Sequence, residues 1–433
     1  MDGEPKSYTI FNNSQIFSKI ASYLPLHDLK NGRLVCHNWA TELGPTLEKS
    51  TFVDLSKPNY LQTLRLYNSS IEKNETFTHS NFVIRHDTSS SDSAVYNVMI
   101  LQLFTFMKET YGEEVKCLHI ILGDSCPGFL NRLLQLVPNL KVLEVTCTNS
   151  FSLANTPNVV NLSVRRKFPV LETLKFRSEI TSQMERRAMM ATLLTVLFRN
   201  CPHNIKRVEV WDPAIQSGIG LAAFKIVAKL ELKNWTDLRI PFFGNAMVPV
   251  ILGLNQRLSV IKVGGIYPGS FPSLRRILEK HSATLTILQV TLGSMRTCPN
   301  EAELKSMQTQ NFDFPRLPVL KKMTCSVGKF PQNTSVTWEG VISLYDRAIL
   351  RILSSKFAEK YPQLTQLDLT FSGSLSPRRS NFFANIDQIP QVKNLSVELK
   401  RWGRTAGRDV WVLRLIDIFP NVRNPIIIEP KED

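Results

Sequence analysis

Apolar residues recur along most of this chain in the order apolar-x-x-apolar-x-apolar. The second half of the pattern alternates, which is typical of a short strand with one side turned inward. Amphipathic stretches that end at a proline or a polar turn separate the copies, and these stretches predict helices. The copies begin at Val115, Leu140, Val159, Leu171, Ile205, Leu258, Leu285, Leu320, Leu364 and Val392, and helices are predicted over Phe129–Val137, Arg187–Arg199, Ser273–His281, Arg347–Lys360 and Val410–Phe419.

One such strand–helix unit cannot cover its own apolar face, so neighbouring units must stack. The pattern therefore predicts an α/β repeat, with a parallel sheet on the concave side of a solenoid and helices on the convex side. The rival interpretation is a doubly wound α/β domain. Its strands would be longer apolar runs, and it would normally carry a Gly-rich phosphate loop, so the solenoid is favoured.

Near the N-terminus the apolar spacing becomes that of short helices. Residues 15–24 place Ile16, Ile20 and Leu24 on one helical face, and Pro25 ends that helix. A second helix is predicted over 29–35 and a third over 36–43. Three short helices bury little surface by themselves, so the module must lean on a partner or on the rest of the chain. In the second and third helices, Asp28 is the predicted cap, Leu29, Leu34 and Val35 are predicted to face inward, and Trp39 is the predicted anchor.

The run Ile20-Ala-Ser-Tyr-Leu-Pro-Leu-His-Asp-Leu29, followed by Leu34-Val-Cys-His-Asn-Trp39, resembles the F-box. The resemblance implies docking onto a Skp-type adaptor and, through it, onto a cullin–RING ubiquitin ligase. The alternative is that these residues only form a helical cap for the next domain. The adaptor-binding positions implied by the resemblance are Ile16, Ile20, Leu24, Pro25, Leu29, Leu34, Val35 and Trp39.

The later copies resemble leucine-rich repeats of the longer, helix-bearing type, in an irregular form. An F-box followed by such repeats resembles the F-box/leucine-rich-repeat family over nearly the whole chain. We therefore expect an F-box over 8–55, a connecting segment with a Ser-rich loop and the first solenoid-capping elements over 56–109, and the solenoid over 110–433. The resemblance implies the substrate-recognition subunit of a Skp–cullin–F-box E3 ubiquitin ligase, a receptor without catalytic residues of its own.

The formal net charge is +15, from 52 Lys and Arg against 37 Asp and Glu, and this favours acidic partners. The x positions of the strands would line the concave face and meet a protein target. Arginine binds carboxylate or phosphate through paired hydrogen bonds, which predicts an acidic or phosphorylated target. The alternative is a plain solvated wall. The candidate target-binding residues are Arg165, Lys175, Arg177, Arg207, Trp211 and Lys262.

Other kinds of site find little support in the sequence. The nucleotide-loop, zinc-protease and serine-hydrolase motifs are absent, so neither catalysis nor a cofactor is predicted. The seven cysteines form no Cys-x-x-Cys pair, which argues against a metal site and indicates a reducing compartment, the cytoplasm, the nucleus or both. No signal peptide or membrane-spanning stretch is predicted.

Four alternatives remain open at the level of sequence. One is a basic nucleic-acid-binding solenoid, which the dispersed basic residues disfavour. A second is a repeat scaffold with a vestigial F-box, because Asn12-Asn13 stands where the family has Leu-Pro. The others are small-molecule binding at the concave face and an enzyme of unrecognised type.

Overall fold

The computed structural model divides the chain into two compact units, Met1–Pro202 and His203–Asp433. None of the helices it describes is both long and apolar enough to cross a membrane. The described residues are 14–55, 60–73, 79–86, 93–110, 114–123, 133–148, 170–178, 204–211, 221, 224–225, 228, 232–241, 243–266, 268–293, 313–328, 345–346, 348–353, 356–371, 386–399 and 416–428.

The first unit opens with three short helices, α1 (Ser14–Ala21), α2 (Leu26–Gly32) and α3 (His37–Ser50). The number of helices predicted near the N-terminus is therefore confirmed, although their bounds differ. The capping prediction was wrong. Pro25, not Asp28, is the N-cap of α2, since its φ of −65° and extended ψ lead directly into the helix. Asp28 lies in the first turn of α2, where its carboxylate faces the positive end of the helix dipole.

The three helices share a small core in which α2 packs closely on α3. A Cβ built on Gly32 would lie only 2.5 Å from Leu43 Cδ1, so a larger residue here would have to displace the end of the Leu43 side chain. Leu34 and Val35 were predicted to face inward, and this was wrong. Helix α2 ends before them, and the turn leaves both side chains exposed. The core consists of Ala21, Leu29, Leu43 and Leu47, with Leu24 and Trp39 partly buried against it.

Five parallel strands complete the described part of the first unit, and each pairs with the next in chain order. Two longer helices lie between the first three strands, and their aromatic rings pack on the inward side of the sheet. Phe82 meets Tyr67 and Phe104 edge-to-face, with ring centroids 6.4 and 5.6 Å away. The elements are β1 (Phe52–Leu55), α4 (Tyr60–Glu72), β2 (Asn81–His86), α5 (Ser93–Thr110), β3 (Cys117–Leu122), β4 (Val142–Cys147) and β5 (Thr173–Ser178).

The sheet of the first unit differs from the sequence prediction at two places. It begins at Phe52, ahead of the expected boundary at residue 110, because β1 and β2 pair in register with β3. Strand β4 also hydrogen-bonds directly to β5, so no strand lies between them. The copy predicted from Val159 and the helix predicted over 187–199 lie outside the described residues.

The second unit continues the same plan with eight parallel strands, paired in chain order in the part that the structure describes. The helix predicted over 273–281 is confirmed as α7. The elements are β6 (Arg207–Trp211), β7 (Asp237–Ile240), α6 (Val248–Leu252), β8 (Val260–Ile266), α7 (Phe271–His281), β9 (Ile287–Leu292), β10 (Lys322–Val327), α8 (Phe357–Lys360), β11 (Gln366–Phe371), β12 (Asn394–Leu399) and β13 (Ile426–Ile428), with 3₁₀ turns at Asn245–Met247 and Pro268–Ser270.

One hydrogen-bond pattern recurs at the start of the strands. Just before a strand, two consecutive N–H groups donate to a single carbonyl oxygen of the preceding repeat, as Lys141 and Val142 do to Lys116. This recurrence, together with the parallel pairing, confirms the strand–helix repeat predicted from the apolar pattern. The accepting carbonyls are those of Ser80, Lys116, Lys141, Lys206, Thr236, Ser259, Thr286, Lys321 and Thr365.

Alternate strand positions form buried ladders across neighbouring repeats. In the second unit one ladder runs through the middle of β6 to β12, and its members are nearly free of solvent exposure. Because side chains alternate across a strand, the positions between them point to the opposite, outward face. The ladder consists of Val208, Leu238, Ile261, Leu288, Met323, Leu367 and Leu395.

Candidate functional site

The helical module exposes large apolar side chains although it has few buried ones. Of the twelve large exposed apolar side chains in the described residues, five fall between residues 16 and 35. Leu34 is 85% exposed and Val35 63%, both in the turn between α2 and α3. We call these five side chains the module apolar residues: Ile16, Ile20, Tyr23, Leu34 and Val35.

The predicted adaptor-binding positions divide between this surface and the module core. Leu29 is fully buried, and Leu24 and Trp39 pack partly against the core, so these three side chains hold the helices together. The other positions are exposed and available to a partner. They are Ile16, Ile20, Pro25, Leu34 and Val35.

On the outward face of the first unit, the Glu144 carboxylate lies close to three basic side chains. Glu144 on β4 lies 3.4 Å from the Lys175 ammonium, 3.7 Å from the Arg177 guanidinium and 3.8 Å from the His119 ring. His119 also shares a 2.8 Å hydrogen bond with Thr146. Burial lowers the pKa of His119, while the Glu144 carboxylate opposes that shift. The predicted target-binding residues Lys175 and Arg177 are therefore brought together here and partly neutralised.

The outward face of the second unit carries a related cluster. The Arg207 Nε donates to Asp237 Oδ2 at 2.7 Å, and Arg239 donates to both carboxylate oxygens, at 3.1 and 3.0 Å. Lys262 lies on the next strand, in register with Arg239. Burial, and then the nearby Arg239 charge, lower the pKa of the Lys262 ammonium. We call Arg207, Asp237, Arg239 and Lys262 the β6–β8 cluster.

Farther along this face, polar side chains bridge neighbouring strands. On β11, Asp368 accepts from Thr324 at 3.1 Å and lies 3.1 Å from the Lys322 ammonium. Thr370 donates to Glu398 at 3.1 Å. From β10 to β12 the described outward positions of the second unit are thus polar, and some of their side chains are joined from strand to strand.

Two further predicted target-binding residues have different outcomes. Trp211, at the end of β6, is half-buried and already engaged in contacts within the chain. Arg165 lies outside the described residues.

Three charged members of these clusters were missed from the sequence. Asp237 and Arg239 lie on β7, whose copy reads Trp235-Thr-Asp-Leu-Arg-Ile240, with tryptophan in place of the first aliphatic residue. Trp235 is fully buried, and its indole N–H donates to the Asp237 carbonyl at 3.1 Å. Admitting an aromatic residue at that position would have revealed the repeat. Glu144 occupied an ordinary x position of a recognised copy.

Within the described ranges, no group of three or more His, Cys, Asp or Glu side chains could hold a metal ion. The described cysteines carry free thiols, and complete burial raises the pKa of Cys325 to about 12, which makes that thiol inert. The fold and these surfaces define a parallel strand–helix repeat protein with an N-terminal helical module. No family model matches the chain, and no curated protein matches it.

Proposed function

We propose that this chain is the substrate-recognition subunit of a Skp–cullin–F-box E3 ubiquitin ligase. In this proposal the helical module docks a Skp-type adaptor, and the outward face of the repeats binds the target. The observation that carries the proposal is the exposure of Leu34 and Val35 within the segment that resembles the F-box. A helical cap that only served the repeats would gain nothing from leaving these side chains in water.

The energetics favour a partner at the module. Fully burying an exposed aliphatic side chain contributes about 1.5–3 kcal/mol. Leu34 and Val35 together could therefore contribute a large part of the binding free energy of a specific complex. Their position in a turn also means that they can be buried by a partner without rearranging the module core.

The repeats fit the receptor role because their outward face offers charged and hydroxyl side chains on a stiff frame. Parallel strands fix the spacing of these groups, since each strand pairs with the next in register. Such a surface recognises a ligand by hydrogen bonds and charge. In this proposal it performs no chemistry, and ubiquitin transfer belongs to the other subunits of the ligase.

The test is the capture of a purified Skp-type adaptor by the immobilised full chain. The Leu34→Asp/Val35→Asp variant should weaken capture by on the order of a hundredfold, because two apolar contacts are lost. Both side chains are exposed, so the variant should melt at the wild-type temperature. Leu66→Asp, which places a single carboxylate at an exposed leucine on α4, should leave capture unchanged, and Leu34→Asp alone is its match in charge.

Two results would contradict the proposal. If the double variant captures the adaptor as well as the wild type does, Leu34 and Val35 do not contribute to adaptor binding. A wild-type chain that does not bind the adaptor would favour the repeat scaffold with a vestigial F-box.

A further inference from the structure

The ammonium of Lys262 lies on the outward face of β8. Among the residues that the structure describes, its ammonium forms neither a hydrogen bond nor an ion pair. Its charged neighbours are three cations and one carboxylate, and Asp237 already binds two arginines. The cations outnumber the carboxylates even though Asp368 pairs with Lys322, so the surroundings of Lys262 keep a net positive charge. The side chain is only partly exposed, so water screens this charge less than it would at an open surface.

Each of the two arginines beside Lys262 has N–H donors that no acceptor in the described residues uses. Arg207 uses only its Nε on Asp237, which leaves both terminal nitrogens for another acceptor. Arg239 uses Nε and one terminal nitrogen, which leaves the other. Asp237 is nearly buried and fixes both guanidinium groups, so their remaining donors are oriented in advance.

A neutral donor extends this arrangement on the next strand. Gln289 on β9 lies in register with Lys262, and its side-chain amide has no hydrogen-bond partner within the described ranges. Strands β6 and β9 are three spacings apart, roughly 14 Å. The Arg207 side chain already reaches β7 at Asp237, so the four side chains can converge on one group. The available donors are two guanidinium groups, an ammonium and an amide, a set that matches the oxygens of a phosphate monoester.

We propose that Arg207, Arg239, Lys262 and Gln289 bind the phosphate group of a phosphorylated serine or threonine in the target. This proposal rests on the proposed function, in which the outward face binds the target, and it names the chemical group recognised there. A phosphoserine carries about −1.5 to −2 charges at pH 7, which would compensate the excess positive charge around Lys262.

The charges on either side of this site favour a single phosphate over a nucleic-acid backbone. Glu209 on β6 lies next to Arg239 in register, and Asp368 on β11 lies in the same row on the other side. Each places a carboxylate at a border of the basic stretch. A polynucleotide carries closely spaced phosphates and would meet these carboxylates, whereas one phosphorylated side chain would not.

The experiment measures the retention of fluorescent peptide pools on the immobilised full chain. The pools have random flanks around a central phosphoserine, serine or glutamate, and a random single-stranded oligonucleotide is the fourth probe. The wild-type chain should retain the phosphoserine pool at least about tenfold better than the other probes. Lys262→Gln should lose about tenfold of that binding, the size expected for one charge-assisted hydrogen bond. Lys233→Gln, an exposed lysine in the turn before β7, is the matched control and should lose none.

Three results would overturn the phosphate site. The first is retention of the serine or glutamate pool equal to that of the phosphoserine pool. The second is an equal loss of phosphoserine binding in Lys262→Gln and Lys233→Gln. The third is oligonucleotide binding that falls in Lys262→Gln as much as phosphoserine binding does. Adaptor capture by the same proteins separates this inference from the proposed function. Selective phosphopeptide binding without adaptor capture would support the phosphate site and contradict the receptor role. Adaptor capture without selective phosphopeptide binding would support the receptor role and contradict the phosphate site.

Discussion

The helical module and the strand repeats use their apolar residues in opposite ways. In the second unit, the inward ladder is almost completely buried and the outward face is mostly polar, with Ile426 and Ile428 of β13 exposed at its end. Among the described side chains of the module, four apolar ones form a buried core and five large apolar ones are exposed. A repeat buries its apolar side chains because each neighbour supplies a covering strand. The three short helices leave several large apolar side chains exposed in the part that the structure describes, and these offer an apolar surface to a partner.

The largest expected effect on stability comes from the ladder. Leu288 lies between Ile261 and Met323 on the neighbouring strands and is fully buried. Leu288→Ala should lower the free energy of unfolding by about 2–5 kcal/mol, because a buried leucine leaves a cavity. Leu34→Ala, the matched change in the module, should alter it by less than about 0.5 kcal/mol. Urea unfolding of both variants checks the contrast, which fails if the two costs are similar.

A smaller effect should appear with pH. Burial, with the Lys280 and Arg257 charges adding to it, lowers the pKa of His281 to about 4 from an ordinary 6.5. Between pH 6.5 and about pH 4, His281 is protonated in the unfolded chain but neutral in the folded chain. Its contribution to the free energy of unfolding is therefore complete above pH 6.5 and is lost as the pH falls towards 4.

The matched variants for this effect are His281→Asn and His37→Asn. Asparagine at 281 keeps an acceptor for the Leu258 N–H, which His281 Nδ1 accepts at 3.3 Å. His281→Asn should therefore lose less stability than the wild type between about pH 7 and about pH 5, measured by urea midpoints. His37→Asn, at an exposed position of the module, should follow the wild type. An unchanged pH dependence in His281→Asn would contradict this assignment.

The smallest effect concerns the outer surface of the repeats. Arg275 and Glu279 form a 2.9 Å ion pair along α7, with both side chains about half exposed. Arg275→Ala should cost about 0.3–0.5 kcal/mol more than Arg276→Ala, which removes the same atoms from an adjacent exposed position. Thermal melts at low salt measure the difference. A difference above about 2 kcal/mol in the free energy of unfolding would contradict this prediction, because it is too large for an exposed ion pair.

Apolar spacing predicted the repeats well, because burial imposes a strict period of two on each strand. It predicted α7 almost to its ends, and it predicted three helices in the module. It failed at Leu34 and Val35 because helical periodicity does not say where a helix ends, and α2 ends at Gly32. Strands β1 and β2 were overlooked because the Ser-rich composition around them masked two short apolar runs.

The candidate sites were less predictable than the fold. Arg207 and Lys262 could be named from their x positions alone. That Asp237 binds Arg207 and Arg239, while Lys262 has no ion-pair partner among the described residues, depends on how β6, β7 and β8 pair. The apolar pattern does align equivalent positions of neighbouring copies, but β7 was not among the recognised copies, so its two charged side chains were not placed beside Arg207 and Lys262. The sequence therefore indicated a basic face but not which cation was left uncompensated.

The paired hydrogen bonds at the start of the strands have a consequence for how such a chain can change over evolutionary time. Each pair of hydrogen bonds joins a repeat to its immediate neighbour at the start of a strand. The position of a strand therefore depends little on the length of the segment that connects it to the previous strand. Lengthening a connection costs little, since loop closure grows only with the logarithm of loop length. Insertions and deletions between strands should therefore accumulate freely, which gives the chain room to acquire new rim segments while every strand keeps its place.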